Sequence, residues 1–166
     1  MDLQKFINNV PDFPKPGIIF KDIAPLLNNP EAFNYVIDEM SQYVVNADII
    51  VAPDARGFIF GTPVAYKMKK PFVMVRKKGK LPGQVIEQNY DLEYGNNTLE
   101  IQAQVLKPGL KAVIVDDILA TGGTTKAIID LLRNQGIEVT DIVVLAEIPE
   151  LNAAKLLGDV KIHSIM

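Results

Sequence analysis

The sequence predicts an α/β fold, a mostly parallel central sheet flanked by helices, on three observations. Short apolar runs such as residues 48–52 (DIIVA) and 111–115 (KAVIV) alternate along the chain with stretches whose apolar residues recur at helical spacing. Strands and helices that take turns imply parallel strands joined by crossover helices, which cover both faces of the sheet. The 166 residues, 48% hydrophobic and 22% charged, suffice for one domain with its own core.

Taken in order, residues 2–9 are expected to form a short helix stopped by Pro11. Residues 12–22 (DFPKPGIIFKD) follow with Pro14 and Pro16, so they can be neither helix nor central strand. Their Phe and Ile content requires them to lie on something, as a lid over a pocket or as a packing arm. Asn28-Asn29-Pro30-Glu31 reads as a helix start, with an Asn cap, Pro at the first helical position and an acid in the first turn. Phe33, Val36, Ile37, Met40 and Val44 then form the buried stripe of that helix. A strand over 48–52, a turn over 53–57, a helix over 58–68 and a strand over 72–75 come next.

Residues 76–83 (RKKGKLPG) put four positive charges within five residues directly after that strand. They form either a solvated loop or an anion site, and the two readings stand level because ligands in open α/β sheets sit beyond the carboxyl ends of strands. Residues 84–101 alternate polar and apolar side chains around Tyr94-Gly95-Asn96-Asn97, as two antiparallel strands or a mobile flap would. A turn at Lys107-Pro108-Gly109 leads into the 111–117 strand, and Gly136 stops the helix over 122–134. Strands over 141–147 and 160–164, with a helix over 151–157 between them, complete the chain.

Composition narrows the function classes. A net charge of −3 argues against a general nucleic-acid binder. The absence of cysteine removes disulfides, thiol catalysis and cysteine metal sites, and fits a cytoplasmic setting. No apolar run is long enough to span a bilayer. Neither the G-x-G-x-x-G fingerprint nor the Walker loop is present, and H-E-x-x-H is impossible with one histidine. That residue, His163, falls in the last strand and is given no catalytic role.

The chemistry concentrates in residues 111–134 (KAVIVDDILATGGTTKAIIDLLRN), where a buried strand ends in Asp116 and Asp117 before a small-residue loop opens a helix. Unpaired N–H groups in a helix's first turn attract an anion, and glycines let the backbone close around a phosphate. The two acids are either a helix cap or a grip on hydroxyls. A phosphorylated sugar offers both halves of that pattern, a diol at one end and a phosphate at the other.

The run VIVDDILATGGTT resembles the phosphoribosyl-pyrophosphate motif of the type I phosphoribosyltransferases. Three further stretches, DFPKPGIIFKDIAPLL at 12–27, DARGFIFG at 54–61, and RKKGKLPG at 76–83 with YDLEYG at 90–95, resemble the family's adenine-specific branch. What the resemblance implies is purine salvage: conversion of adenine and phosphoribosyl pyrophosphate to AMP and pyrophosphate, with Mg²⁺, by a homodimer. It also implies a single domain over 1–166, with an arm at about 1–28 hooding the base and a flexible flap at about 79–101. The alternatives are a transferase for another purine (hypoxanthine, guanine or xanthine) and a non-catalytic sensor of phosphoribosyl pyrophosphate.

Residue by residue, the resemblance assigns Asp116 and Asp117 to the ribose hydroxyls, directly or through Mg²⁺. Ala120, Thr121, Gly122, Gly123, Thr124 and Thr125 become the 5-phosphate cradle. Arg56, Arg76, Lys77 and Lys80 become pyrophosphate contacts, some reaching across a dimer interface. Glu93 is the candidate for the purine's ring proton and Tyr94 a cover for the ribose. Ile19, Phe20, Lys21 and Ile118 become the base pocket. The sequence departs from the pattern at Lys21, where relatives usually carry Arg, so any bidentate or stacked guanidinium contact there is replaced. The chain also ends at Met166, earlier than many relatives, which removes any contact made by their last residues.

Overall fold

The computed structural model describes residues 1–92 and 95–166; Glu93 and Tyr94 lie outside them. In chain order the elements are β1 (Asn8–Pro11), β2 (Ile19–Asp22), α1 (Ala24–Leu27), α2 (Pro30–Gln42), β3 (Ile49–Pro53) and α3 (Arg56–Met68). Then come β4 (Phe72–Lys77), β5 (Val85–Leu92), β6 (Gly95–Gln102), β7 (Lys111–Leu119), α4 (Gly123–Asn134), β8 (Glu138–Glu147), α5 (Ala153–Leu157) and β9 (Lys161–Ser164). Seven strands form the central sheet in the order β5-β6-β4-β3-β7-β8-β9. From β4 to β9 the neighbours are parallel, and the β5–β6 hairpin joins antiparallel beside β4.

The apolar runs are continuous because this sheet is buried on both sides. Successive residues of a strand point to opposite faces: Ile49 and Val51, with Ala112 and Ile114, enter the core under α4, α5 and the hairpin. Ile50, with Val113 and Val115, enters the core under α2 and α3. Helix α2 begins as its sequence requires, the Asn29 side chain accepting the Ala32 N–H at 2.9 Å. Its expected stripe packs inward, with Val36, Met40 and Val44 fully buried.

Two expectations are corrected. Residues 2–9 do not form one helix: a 3₁₀ turn over Leu3–Phe6 gives way to β1, which pairs antiparallel with β2. A strand whose partner lies beyond an irregular loop leaves no local periodicity to read. The last helix starts at Ala153, not 151, because Asn152 adopts a left-handed conformation (φ 51°) that separates it from a 3₁₀ turn over Pro149–Leu151.

Strand order, more than any single element, positions the site. β4, β3 and β7 are adjacent and parallel, so their carboxyl ends open on one edge of the sheet. The basic turn after β4, the Asp54–Arg56 turn after β3 and the acidic end of β7 therefore stand side by side, where ligands of open α/β sheets bind.

Candidate active site

Asp117 sits near the end of β7, 6% exposed, on the strand face that Val113 and Val115 turn toward α3. Its carboxylate is met by the first residue of α3: Arg56 donates Nε, with Nη2 also in contact, to Asp117 Oδ2. A guanidinium is suited to this because its donors form a fixed fork. The same Arg56 donates Nη2 to the Lys21 carbonyl at 3.3 Å and lies over the Phe20 ring, 4.8 Å from its centroid. One side chain thus joins the β7 acid, the β3–α3 turn and the N-terminal arm.

Asp116 behaves differently. Its Oδ1 accepts the Asp117 N–H at 2.8 Å, and it lies against the first turn of α3. Burial, and secondly the neighbouring Asp117 charge, push its carboxyl well above the usual value, against weaker lowering by that backbone hydrogen bond and by Arg56. The close approach depends on Gly57: a Cβ there would stand 2.9 Å from Asp116 Oδ1 and 2.8 Å from Pro53 Cδ.

The loop after β7 adds a helix N-terminus to this edge. Gly122 has φ +84°, which favours glycine, and precedes α4 with no side chain capping the helix. The Lys126 N–H is the first to reach back, to Gly122 O at 2.8 Å, so the amides of Gly123, Thr124 and Thr125 have no intrahelical acceptor. Thr121 is exposed, Ala120, Gly123 and Thr124 are half-buried, and Gly122 and Thr125 are buried. First-turn amides and the helix dipole favour an anion here.

Arg76, on β4, donates Nε to Asp54 Oδ2 at 2.8 Å and Nη1 to the Lys80 carbonyl at 3.3 Å. Its guanidinium ties the basic turn to the Asp54–Arg56 turn, whose Asp54–Ala55 peptide is cis. Lys77 and Lys80 are exposed and have no ion pair among the described residues. In the base region Phe20 stands edge-on to Phe13 at 5.2 Å, Ile19 is 59% exposed and Ile118 is half-buried. The Lys21 ammonium turns away to Asn9 Oδ1 at 2.8 Å, across the β1–β2 ladder.

The structure therefore brings Phe20, Lys21, Arg56, Asp116 and Asp117 together by direct contact, and sets Arg76, Lys77, Lys80 and the α4 N-terminus on the same sheet edge. Sequence reasoning missed Asp54, Gly57 and Glu100. Glu100 offered a signal, a charge inside the apolar run Leu99-Glu100-Ile101; Asp54 offered none beyond being an acid next to the Arg56 turn. His163 lies on the outermost strand, stacked on Tyr43 at 4.1 Å and bound to Asp141 at 2.7 Å.

Comparison with known proteins agrees with this geometry. Residues 24–165 match the phosphoribosyl transferase domain family. The adenine phosphoribosyltransferase of Mycoplasmopsis pulmonis is 60% identical over 166 residues, covering 100% of this chain and 98% of that protein. The crystal structure of the Thermoanaerobacter pseudethanolicus adenine phosphoribosyltransferase superposes with a TM-score of 0.95 at 44% identity, over 99% of this chain and 96% of that one. The Saccharomyces cerevisiae adenine phosphoribosyltransferase, complexed with an imino-altritol bisphosphate and adenine, gives 0.94 at 33% identity, over 99% and 97%. On full-length identity and shared architecture together, the chain belongs to the type I phosphoribosyltransferase family, in its adenine phosphoribosyltransferase branch.

Proposed function

We propose that the chain converts adenine and phosphoribosyl pyrophosphate to AMP and pyrophosphate, the purine-salvage reaction. The observation that supports this reading is the Arg56 junction, in which one side chain joins Asp117, the β3–α3 turn and the Phe20 arm.

In the reaction the bond from ribose carbon 1 to the pyrophosphate oxygen breaks and the bond from carbon 1 to adenine N9 forms. Positive charge grows on the ribose while negative charge grows on the leaving group, so fixed charges aimed at both accelerate the step. Asp116 and Asp117 take the ribose hydroxyls. The amides of Gly123, Thr124 and Thr125, with the Thr121 and Thr124 hydroxyls, hold the 5-phosphate. Lys77 and Lys80 meet the pyrophosphate, and Arg56 turns from Asp117 toward it as the ribose diol replaces the guanidinium on that carboxylate. Ile19, Phe20 and Ile118 enclose the base, and the Lys21 backbone reads its edge. Since the Lys21 ammonium is held by Asn9, replacing the usual Arg leaves that backbone reading in place, which favours adenine.

Glu93 receives the proton from adenine and Tyr94 covers the ribose; both lie outside the described residues. The hairpin over about 79–101 closes as a flap and keeps water from the activated sugar. The arm over about 1–28 hoods the base.

Among the described residues no cluster of three or more metal-binding side chains exists. We take Mg²⁺ to arrive with the substrate, and Asp116 and Asp117 are the carboxylates that would hold it at the end of β7. When bound, the ion would neutralise charge on the leaving pyrophosphate. We further propose a cytoplasmic homodimer, in which exposed apolar side chains such as Tyr66 (87%) and Val45 (57%) would find cover; light scattering at micromolar concentration should give twice the chain mass. Among the described residues no helix is long and apolar enough to cross a membrane.

The decisive assay offers adenine, hypoxanthine, guanine and xanthine separately with phosphoribosyl pyrophosphate and Mg²⁺. Turnover with adenine alone is expected. Turnover with another base would overturn the substrate assignment, and none with any base would overturn catalysis.

A further inference from the structure

Glu100 is a carboxylate in the wrong place for a solvated charge: it lies in the middle of β6 and is 3% exposed. Its Oε1 accepts the Gly79 N–H at 2.8 Å, while Oε2 is buried with no hydrogen-bond partner among the described residues. Leaving a buried charged oxygen unpaired is costly. A side chain kept for packing alone would shed that cost by being apolar.

What Oε1 holds is the apex of the basic turn. The Lys80 N–H closes the turn on Lys77 O at 3.2 Å, and the Lys78 N–H anchors it to Thr98 O at 3.1 Å. The Lys78 ammonium is taken by Glu87 at 2.9 Å, which leaves Lys77 and Lys80 for an anion. Arg76 is the ladder partner of Glu100, yet its guanidinium goes to Asp54 and to Lys80 O. Beyond that backbone anchor, side chains grip the turn twice, at the Gly79 amide by Glu100 and at the Lys80 carbonyl by Arg76. Without such grips its clustered positive charges would splay apart, and the anion would have to gather them as it bound.

We propose that Glu100 is a positioning residue for the basic turn, holding the Gly79 amide so that Lys77 and Lys80 converge on the leaving pyrophosphate. This rests on the reading that the turn receives that anion. It gives β6 a task at the site, since its Glu100 sets the shape of the basic turn.

The test measures initial rates for the full chain with phosphoribosyl pyrophosphate and adenine varied in turn, together with thermal melts. Losing one hydrogen bond to a charged group corresponds to about tenfold in affinity, so Glu100→Ala should raise the KM for phosphoribosyl pyrophosphate by about that factor. The KM for adenine should stay within about twofold, an unchanged interaction leaving its own parameter alone. Glu100→Gln, which still offers an acceptor to Gly79, should restore most of the loss. If Glu100→Ala does not fold, Glu100→Asp carries the test, because its shorter carboxylate withdraws from the amide while keeping the charge. An unchanged KM for phosphoribosyl pyrophosphate, or equal damage from Gln and Ala, overturns the proposal. The double variant Lys77→Ala/Lys80→Ala separates the two levels. If it leaves that KM unchanged, the turn is not the anion site; if it raises the KM while Glu100→Ala does not, only the role of Glu100 falls.

Discussion

Asp117 is buried against the Arg56 guanidinium, and the two side chains of this pair differ in their access to water, 8% exposed for Asp117 and 31% for Arg56. That difference predicts an asymmetry. Arg56→Ala leaves a buried carboxylate alone, a loss of about 3–5 kcal/mol when pairing is complete and less here because Arg56 is partly wet. Asp117→Asn leaves a guanidinium that can turn to solvent, so it should destabilise less in urea titrations. Both should lower kcat/KM by roughly a hundredfold, the effect of removing one charge-stabilising group, ~3 kcal/mol; full activity in either would remove that residue from the site. Asp116 gives a pH-dependent counterpart. Its folded carboxyl holds its proton to higher pH than the ordinary value of 3.8. As pH rises through that window the unfolded chain releases a proton that the native state retains, so stability falls, and the deficit persists above it. Asp116→Asn removes the deficit and keeps an oxygen for the Asp117 N–H. Its melting temperature should rise above that of the unaltered chain as pH climbs through the window and stay above it at neutral pH, even as turnover falls. A lower melting temperature at neutral pH would show that the Asp116 charge is stabilising.

Elements were legible where the evidence is consecutive in the chain. The β7–α4 run carries its strand, its acids, its positive-φ glycine and its helix start within one stretch, so its strand–loop–helix order could be read before any fold was known. The α2 cap at Asn29 was likewise local, bonding three residues ahead. The site's other contacts join distant positions: Arg56 with Asp117 across 61 residues, Arg76 with Asp54 across 22 and Gly79 with Glu100 across 21. These follow from which strands lie side by side, and hydrophobic period does not encode that order. Gly57 shows the same limit in part, since its need to be small arises from Asp116 on β7 as well as from nearby Pro53. Gly57→Ala is favoured by helix propensity, by about 1 kcal/mol, yet its Cβ would press on Pro53 and on Asp116 Oδ1. Overpacking of this kind costs about 1–3 kcal/mol. The variant should melt lower, and its KM for phosphoribosyl pyrophosphate should rise if the displaced Asp116 holds the ribose as proposed; a higher melting temperature with unchanged KM would show that the α3–β7 contact is slack.

At the scale of the whole molecule, one ligand would touch segments from across the chain: the N-terminal arm, the β3–α3 turn, the basic turn and the β7–α4 loop. Those segments belong to elements that pack into both cores, under α2 and α3 on one face of the sheet and under α4 and α5 on the other. A substrate gathering them at the sheet's edge would stabilise the folded chain as a unit, since the unfolded chain offers no such convergence. Linkage fixes the size of the effect. At a hundredfold excess over Kd, binding adds about 2.7 kcal/mol, and for a chain of this length each kcal/mol moves the melting temperature by about 2–4 °C. Phosphoribosyl pyrophosphate with Mg²⁺ should therefore raise the melting temperature by roughly 5–10 °C. Ribose 5-phosphate, which lacks the leaving anion, should give a smaller rise at the same concentration. The Lys77→Ala/Lys80→Ala variant should narrow the difference between the two ligands, Arg56 still meeting the pyrophosphate. If the unaltered chain already responds alike to both, the pyrophosphate adds nothing to binding, and neither the basic turn nor Arg56 holds it.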